Sequence, residues 1–464
     1  MSRYVVTVRP GVTSLVSNLS FANPPVLPPK NTTPLDIAPP LPPFVTRADA
    51  EAYGNRLSTS LRANAAIGAA LDQIGLATGF EQSTALLFDL PPLDANDVRW
   101  EAIHDPTAGF AAIARRCRVA RIKRSEQRQA LPVEMPGVLR VLAFLSPARF
   151  SAADEFDALA ATIQAAVDAG CPIEATFLIG EDALLARTPP PWLTIGRIPA
   201  ESAEFETVIR DVLPHIVHFF CHGRIGNAGP GGGPPALEMA TVNDWAIKND
   251  AGSALLGLDR LGQVLVNGAT WLVVLNCCNG GTAQPGAQSM AETLVGGNAC
   301  AAAVGMVEAL DVDDATVVTK AFYGALFRDT LRDLAHPPKV GSIDFTLAIA
   351  AAHQQFYQLC LQQAKKQPMR FGRWAMPIMY LAAEELQFYS PAVPGQRLMA
   401  PTVSQAMRDR LAIYARTLRS LPADTPILVR EQIVALCDNA PSIPGDLRPD
   451  LWGNFATLNE EIVA

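Results

Sequence analysis

Leu272-Val273-Val274-Leu275-Asn276-Cys277-Cys278-Asn279-Gly280-Gly281 is the stretch on which the interpretation of this chain depends. Four apolar residues lead to an asparagine, two cysteines, a second asparagine and two glycines, a pattern that predicts a buried strand ending at a reactive side chain. The earlier apolar run 215–220 has the same design, because it ends at Cys221-His222-Gly223. Open α/β sheets place their chemistry where strands leave the sheet. The two strand ends therefore predict a site that contains cysteine and histidine.

Apolar runs alternate with helical patterns on both sides of this stretch. From residue 137 onward, strand-like runs are separated by stretches in which apolar residues recur every three or four positions. Such alternation predicts an α/β fold, a mostly parallel sheet that right-handed crossovers flank with helices. The predicted strands are 138–145, 173–179, 215–220, 270–275, 301–306 and 376–381, and the predicted helices are 153–169, 201–213, 255–266, 289–295, 314–334 and 343–365.

The chain divides into four regions. Residues 1–45 form a proline-rich leader with a short strand expected over 3–8, and its nine prolines between positions 21 and 44 exclude a helix or a central strand there. An extended surface wrap and a docking motif for a proline-recognising partner both fit this leader. Residues 46–136 precede the regular pattern and residues 137–388 contain it. Residues 389–464 show helical patterns alone, which predicts a small helical C-terminal appendage.

Composition excludes several classes of function. A formal charge of −8 and a pI near 5.4 supply no basic field, so neither nucleic acid nor an anionic membrane is an expected partner. The hydrophobic share of 49% suffices for a large core, yet no uncharged apolar run has the length of a membrane span. Eight cysteines are scattered along the chain without a disulfide pattern, so the predicted location is the cytoplasm.

One local run of basic residues departs from the acidic balance. It fits a solvated face, and a local basic patch is the alternative. The residues are Arg115, Arg116, Arg118, Arg121, Lys123 and Arg124.

The paired strand ends have the chemistry of a nucleophile and its acid–base partner. A cysteine is a good nucleophile only as the thiolate, and a neighbouring imidazole favours that form and delivers a proton to a leaving amine. We therefore predict that His222 pairs with a cysteine of the second strand end. Gly223 leaves room for a substrate carbonyl to approach the backbone, so its N–H and that of Cys278 are the predicted oxyanion donors.

Other interpretations of these residues stay open on spacing alone. Cys221, His222, Cys277 and Cys278 also fit a four-ligand zinc site, although adjacent cysteines suit one tetrahedral ion poorly. The glycine-rich segment 223–234 lacks the spacing and the lysine of a phosphate-binding loop, which indicates a rim beside the site.

The order of motifs along the chain resembles a known family. His222 precedes Cys278 by 56 residues, and caspases carry their histidine about 50 residues before the nucleophile. The caspase Q-A-C-x-G signature is absent. The chain is more similar to the CHAT domain, the caspase-like peptidase module of bacteria that is also related to separase. Residues 217–223 resemble the family's hydrophobic strand that ends in His-Gly, and residues 275–281 resemble its L-S-A-C-E-T-G motif.

The resemblance extends over roughly residues 80–385 and implies a caspase-like sheet. Trp100-Glu101 resembles the family's P-W-E element, with Arg99 in place of proline. Residues 311–316 are a looser form of D-D-x-A-T, and residues 376–380 resemble the closing P-x-x-Y strand.

By this resemblance Cys278 is the nucleophile and His222 its partner, whereas Cys277 falls where the family has alanine and is expected to pack. Asn276, Asn279 and Gly280 depart from the family's serine, acidic residue and threonine, which bears on substrate preference.

The resemblance also implies a substrate pocket. In separase and other relatives, an acidic residue in the later region binds a basic residue just before the cut bond. Asp311 or Asp313 would form the floor of that S1 pocket, which would favour arginine or lysine. The same aspartates equally fit caps of the helix predicted from residue 314.

The function implied is that of a cysteine endopeptidase, with neither cofactor nor metal, that cuts a specific protein partner. The family often acts in bacterial defence or cell-death modules, where a sensor or activator protein releases it to cut an effector such as a gasdermin-like pore former. A catalytically inactive caspase-like interaction module is the alternative, and the presence of both His222 and Cys278 argues against it.

Overall fold

The computed structural model describes the greater part of the chain in two compact units. Residues 1–124, 136–338 and 342–386 form the first unit, which thus contains segments of the leader, of region 46–136 and of region 137–388. Residues 125–135, 339–341 and 387–464 form the second. The described residues are 3–10, 15–21, 33–35, 46–76, 84–90, 98–113, 117–123, 133–224, 235–249, 251–266, 270–277, 289–307, 311–331, 340–389 and 419.

The strands in chain order are β1 (Arg3–Pro10), β2 (Leu15–Phe21), β3 (Thr33–Leu35), β4 (Thr84–Asp89), β5 (His104–Asp105), β6 (Gly109–Phe110), β7 (Cys117–Ile122), β8 (Val133–Glu134), β9 (Leu139–Leu145), β10 (Ile173–Ile179), β11 (Leu193–Arg197), β12 (Ile216–Arg224), β13 (Ala236–Met239), β14 (Ala254–Gly257), β15 (Leu272–Cys277), β16 (Ala302–Met306), β17 (Val340–Ile343), β18 (Pro377–Leu381) and β19 (Leu386–Tyr389). The helices are α1 (Arg47–Arg62), α2 (Ala65–Leu76), α3 (Ala153–Asp168), α4 (Asp182–Leu185), α5 (Ser202–Val212), α6 (Val242–Ala246), α7 (Leu258–Val266), α8 (Met290–Gly296), α9 (Val312–Ala325) and α10 (Thr346–Ala364).

The predicted mostly parallel sheet with flanking helices is confirmed. In the first unit the strand order is β11-β10-β9-β12-β15-β16-β18-β7-β4-β1-β2-β3. Neighbouring strands run parallel from β11 to β16 and from β18 to β1, while β18 is antiparallel to β16 and β2 is antiparallel to β1. The hairpin β13–β14 extends β12 beyond the main path. In the second unit, β8 and β19 pair in parallel.

The centre of the sheet is formed by β9, β12, β15 and β16, which are apolar on both faces over most of their length because helices cover both. One face packs against α5, α7 and α8, whose buried side chains Phe205, Leu261 and Leu294 share a core with the strands. The other face packs against α3 and α9, as described below. Continuous apolar runs are what strands buried on both faces require.

The leader contributes strands to the sheet. The strand expected over 3–8 is confirmed as β1, which lies between β4 and β2, and β3 pairs with the outer side of β2. Proline suits such an edge position because it donates no ladder hydrogen bond. Of the predicted appendage, residues 390–418 and 420–464 lie outside the described residues. Within the described ranges, no helix combines the length and the apolarity needed to cross a membrane.

Two members of the basic run are buried, so the interpretation of this run as a solvated face is wrong for them. Arg118 and Arg121 lie on β7 and are 0% and 1% exposed. Arg118 forms an ion pair with Asp344, and Arg121 forms one with Glu101. Residues 115, 116 and 124 lie outside the described residues. The buried pairs show that this strand is an internal element of the sheet rather than a patch for an anionic partner.

His215, just before β12, makes the stability of the fold depend on pH. Its Nδ1 accepts a hydrogen bond from the Arg140 backbone N–H at 2.9 Å, and burial, followed by the charge of Arg140, lowers the pKa of His215 from 6.5 to about 4. Between pH 4 and pH 6.5, the His215 side chain binds a proton in the unfolded chain but not in the native protein. The free energy of unfolding therefore falls as the pH drops from 6.5 to 4, by roughly 3 kcal/mol in total.

The variant His215→Asn keeps an acceptor near the position of Nδ1 and removes the titration. We expect wild-type protein to lose about 2 to 3 kcal/mol more stability than this variant between pH 7 and pH 4.5 in urea unfolding experiments. Equal losses in the two proteins would contradict the assignment.

Candidate active site

The two predicted strand ends lie side by side. β12 and β15 are parallel neighbours whose register pairs Cys221 with Cys277. His222 comes directly after the first member of that pair, and Cys278 comes directly after the second in the sequence. Cys278 and residues 279–281 lie outside the described residues, as does most of the glycine-rich segment, residues 225–234. The structure thus places His222 at the carboxyl edge of the sheet, next to the end of β15, which Cys278 follows in the sequence.

His222 is held by a backbone carbonyl. Its Nε2 lies 3.0 Å from the carbonyl oxygen of Ala148, which accepts the Nε2–H hydrogen bond. A neutral imidazole with its proton on Nε2 has Nδ1 free as an acceptor. The ring is partly buried. Because the Ala148 carbonyl engages Nε2, a second hydrogen-bond partner of the ring has to bind at Nδ1.

Ala148 belongs to the connection between β9 and α3, residues 146–152, which is itself fixed. Glu181 accepts hydrogen bonds from the Ser151 hydroxyl at 2.8 Å and from the Ala152 N–H at 3.3 Å. Arg149, which follows Ala148 in this connection, has a positive φ of 73°, an uncommon conformation for a residue with a Cβ. Sequence patterns did not reveal this part of the site, because a backbone carbonyl leaves no signature in residue types.

Gly223 continues β12 beyond the histidine. It pairs with Leu237 of the antiparallel β13, one position after the pair His222 and Glu238. This pairing fixes the backbone that follows the histidine. The role of Gly223 as an oxyanion donor remains a prediction.

Cys221 and Cys277 point away from His222. Both are nearly fully buried, at 4% and 5% exposure, in the apolar core under α5, α7 and α8. Successive residues of a strand face opposite sides of the sheet, so His222 belongs to the other face. The four-ligand zinc arrangement would need ligands from both faces to converge on one ion, which this alternation opposes. The packing role predicted for Cys277 agrees with its place in the core.

The face that carries His222 also holds a buried polar group of side chains, here called the Glu155 cluster. It joins α3, β12, β15 and α9, and its members are Glu155, His218, Asn276, Thr319 and Tyr323. Asn276 Nδ2 donates to Glu155 Oε1 at 2.9 Å and lies 3.0 Å from the Thr319 hydroxyl. His218 Nε2 lies 3.0 Å from the same Glu155 oxygen, and its Nδ1 lies 3.2 Å from the Tyr323 hydroxyl.

The cluster explains two features of the sequence. His218 is a buried structural histidine, as predicted, and Asn276, which departs from the family pattern, serves as a donor to α3 and α9. Burial, and secondarily the charge of Glu155, hold the pKa of Tyr323 well above its usual value, so this hydroxyl stays protonated.

The two aspartates predicted for the substrate pocket differ in their surroundings. Asp311 occupies the position before α9 without a side-chain capping bond, and its Oδ2 accepts from Arg373 Nη1 at 2.8 Å. Asp313 is exposed in the first turn of α9. It lines a groove between α3 and α9 together with Asp154, Asp157 and Lys320. Asp311 is thus already engaged by a guanidinium of its own chain, whereas Asp313 faces the groove.

Fold and site together define an α/β protein with histidine and cysteine at neighbouring strand ends. No protein-family model matches the chain, and no curated protein matches it significantly in sequence. Among solved structures, it is similar to Saccharomyces cerevisiae separase in complex with securin, with 11% identity and a TM-score of 0.33, over 67% of this chain and 16% of that chain.

Two further similarities are to gingipain structures. The Arg-specific cysteine proteinase gingipain R has 10% identity and a TM-score of 0.39, over 75% of this chain and 69% of that chain. The complex of Porphyromonas gingivalis RgpB pro- and mature domains has 10% identity and a TM-score of 0.38, over 74% and 78%. The chain spans only 16% of the separase chain that it matches.

Proposed function

We propose that this protein is a cysteine endopeptidase of caspase-like fold, with Cys278 as the nucleophile and His222 as its acid–base partner. The observation that carries the proposal is the placement of His222 one residue beyond the Cys221–Cys277 pair, with Nε2 held by the Ala148 carbonyl. In the sequence, Cys278 directly follows Cys277, the member of that pair on β15. This arrangement supports proton exchange between the Cys278 thiol and Nδ1 of His222.

The reaction that these groups support is hydrolysis of a peptide bond in two steps. The Cys278 thiolate attacks the carbonyl carbon, and the developing oxyanion is stabilised by the N–H groups of Gly223 and Cys278. The C–N bond then breaks, and His222 gives its proton to the leaving amine. Water, deprotonated by His222, hydrolyses the thioester and restores the thiol.

The substrate is proposed to be a specific protein partner that is cut after a basic residue. Asp313 faces the groove between α3 and α9, where Asp154 adds negative charge and Lys320 offsets part of it. Asp311 is the second residue proposed for the pocket, and Arg373 neutralises part of its charge. A guanidinium or ammonium group of a substrate would be stabilised there by charge-assisted hydrogen bonds.

The biological setting follows from the CHAT resemblance and is also a proposal. The protein would belong to a regulated bacterial defence or cell-death module, in which a sensor or activator releases it to cut an effector such as a gasdermin-like protein. A discrete, Cys278-dependent fragment of a protein encoded next to it would support this setting.

A panel of fluorogenic peptides that differ only in the residue before the cut bond tests the proposed activity. We expect hydrolysis that is at least about tenfold faster with arginine or lysine than with leucine or aspartate. The variant Asp313→Ala should remove most of this preference. Asp157→Ala, which changes a groove carboxylate that already pairs with Arg187, should remove little of it.

Two outcomes contradict different parts of the proposal. Hydrolysis without preference for a basic residue would exclude the aspartate pocket and leave the peptidase intact. Absence of hydrolysis with every peptide and with candidate protein substrates would contradict the peptidase activity itself.

A further inference from the structure

The Glu155 cluster has a geometry that peptide hydrolysis by the dyad alone does not require. One oxygen, Glu155 Oε1, accepts hydrogen bonds from Asn276 Nδ2 and from the Thr319 hydroxyl, and His218 Nε2 lies 3.0 Å from it. These three partners come from β15, α9 and β12. A single carboxylate at the start of α3 therefore holds together the three elements that surround the predicted site.

Each member of this contact is removed from water. Glu155 and His218 are 0% exposed, and Asn276 is 3% exposed. On the opposite face the same two strands present apolar side chains, among them Phe219 and Leu275. Replacing a buried polar cluster by well-packed apolar side chains is often neutral for stability, so the consequence of such a cluster lies in the geometry that it imposes.

On the cysteine side, one member of the Glu155 cluster lies close to the dyad in the sequence. Asn276 is the second residue before Cys278, and its amide also lies 3.4 Å from the Ala315 carbonyl of α9. Asn276 is also the next-to-last residue of β15, so only Cys277 stands between it and Cys278 in the sequence. Fixing the Asn276 amide therefore restrains the backbone that leads directly to the nucleophile.

The histidine half of the dyad is held by the same short segment of chain. Ala148, whose carbonyl accepts from His222, and Glu155, whose carboxylate accepts from Asn276, are seven residues apart in the β9–α3 connection and the first turn of α3. The segment 148–155 thus contacts β12 at His222 and β15 at Asn276, two residues before Cys278. Its position determines how the two strand ends are aligned.

We propose that Glu155 is a positioning residue for the dyad, which acts through Asn276 to hold Cys278 in register with His222. This role rests on the cysteine peptidase function proposed above. In this role Glu155 touches neither substrate nor the reacting atoms. Its contribution is the alignment of two groups, and displacements of about 1 Å in such an alignment reduce rates by up to about a hundredfold.

The variant Glu155→Gln tests the role. Glu155 Oε2 accepts no hydrogen bond in the described part of the structure, so the amide would bring buried N–H donors to a position that lacks an acceptor. We expect the rate at which iodoacetamide alkylates Cys278 in the full-length protein to fall about 10- to 100-fold, measured by mass spectrometry of the proteolytic peptide that contains Cys278. With peptide substrates, kcat should fall by a similar factor while KM changes little.

A matched control and a reciprocal variant separate positioning from stability. Asp344→Asn is the control, because Asp344 is another buried carboxylate that accepts a hydrogen bond from a threonine, at the start of α10. Its partner Arg118 lies on β7, four strands away from β12 in the sheet. Asp344→Asn should lower the melting temperature without slowing Cys278 alkylation. The double variant Glu155→Gln/Asn276→Asp exchanges amide and carboxylate across the same contact, and it should react faster than either single variant.

The outcomes separate the positioning role of Glu155 from the proposed peptidase activity. If Glu155→Gln is folded and Cys278 reacts at the wild-type rate, the positioning role is excluded and the peptidase proposal stands. If Cys278 of the wild-type protein reacts no faster than an unfolded thiol and no peptide is hydrolysed, both fail. Should Glu155→Gln not fold, Thr319→Val removes one donor to the same oxygen and should slow alkylation roughly threefold to tenfold, and an unchanged rate would overturn the role.

Discussion

Replacement of Cys278 or of His222 by alanine is expected to reduce peptide hydrolysis by at least about a thousandfold, to the background of the assay. Without the thiol no covalent intermediate forms, and without the imidazole the thiol loses its base and the amine loses its proton donor. The double variant should be no slower than either single variant, because two residues that act as a unit do not have additive effects.

Cys277→Ala is the matched control for the cysteine. It removes a thiol one residue away that packs in the apolar core, so hydrolysis should stay within about threefold of wild type while stability falls by about 1 kcal/mol. His215→Asn is the control for the histidine, because His215 lies just before the opposite end of β12. Equal losses of activity in Cys277→Ala and Cys278→Ala, with zinc detected by elemental analysis, would favour a metal site instead.

The strands that carry these residues follow directly from the sequence. Buried parallel strands require continuous apolar runs, and the runs predict β9, β10, β12, β15, β16 and β18 with ends that differ by a few residues. The helix predicted over 255–266 is only partly right, since residues 254–257 form β14 and α7 begins at Leu258. Four residues with alternating burial are too short a signal to separate from the helix that follows.

The surroundings of the site depend on partners that are distant in the sequence and were not predictable. The carbonyl that holds His222 comes from Ala148, 74 residues away. Asn276 is bound by Glu155, 121 residues away. The arginines of β7 look like a solvated face because charged runs usually are, and only the pairing with Glu101 and Asp344 explains their burial.

The ion pair of Arg121 and Glu101 is expected to dominate the stability of the sheet around β7. Both side chains are buried, at 1% and 0% exposure, and Arg121 Nη2 also donates to the Val98 carbonyl at 3.2 Å. The variant Arg121→Met leaves the Glu101 carboxylate buried without its cation. We expect the free energy of unfolding to fall by about 3 to 5 kcal/mol, measured by urea unfolding at pH 7.

The double variant Arg121→Met/Glu101→Leu decides whether the pair itself is stabilising or only costly to break. Removing both charges leaves no uncompensated ion, so the double variant should recover most of the stability that the single variant loses. Arg187→Met, which breaks the exposed pair with Asp157, should cost at most about 1 kcal/mol. A cost for Arg121→Met no greater than that for Arg187→Met would contradict the prediction that breaking the buried pair leaves an uncompensated charge in the core.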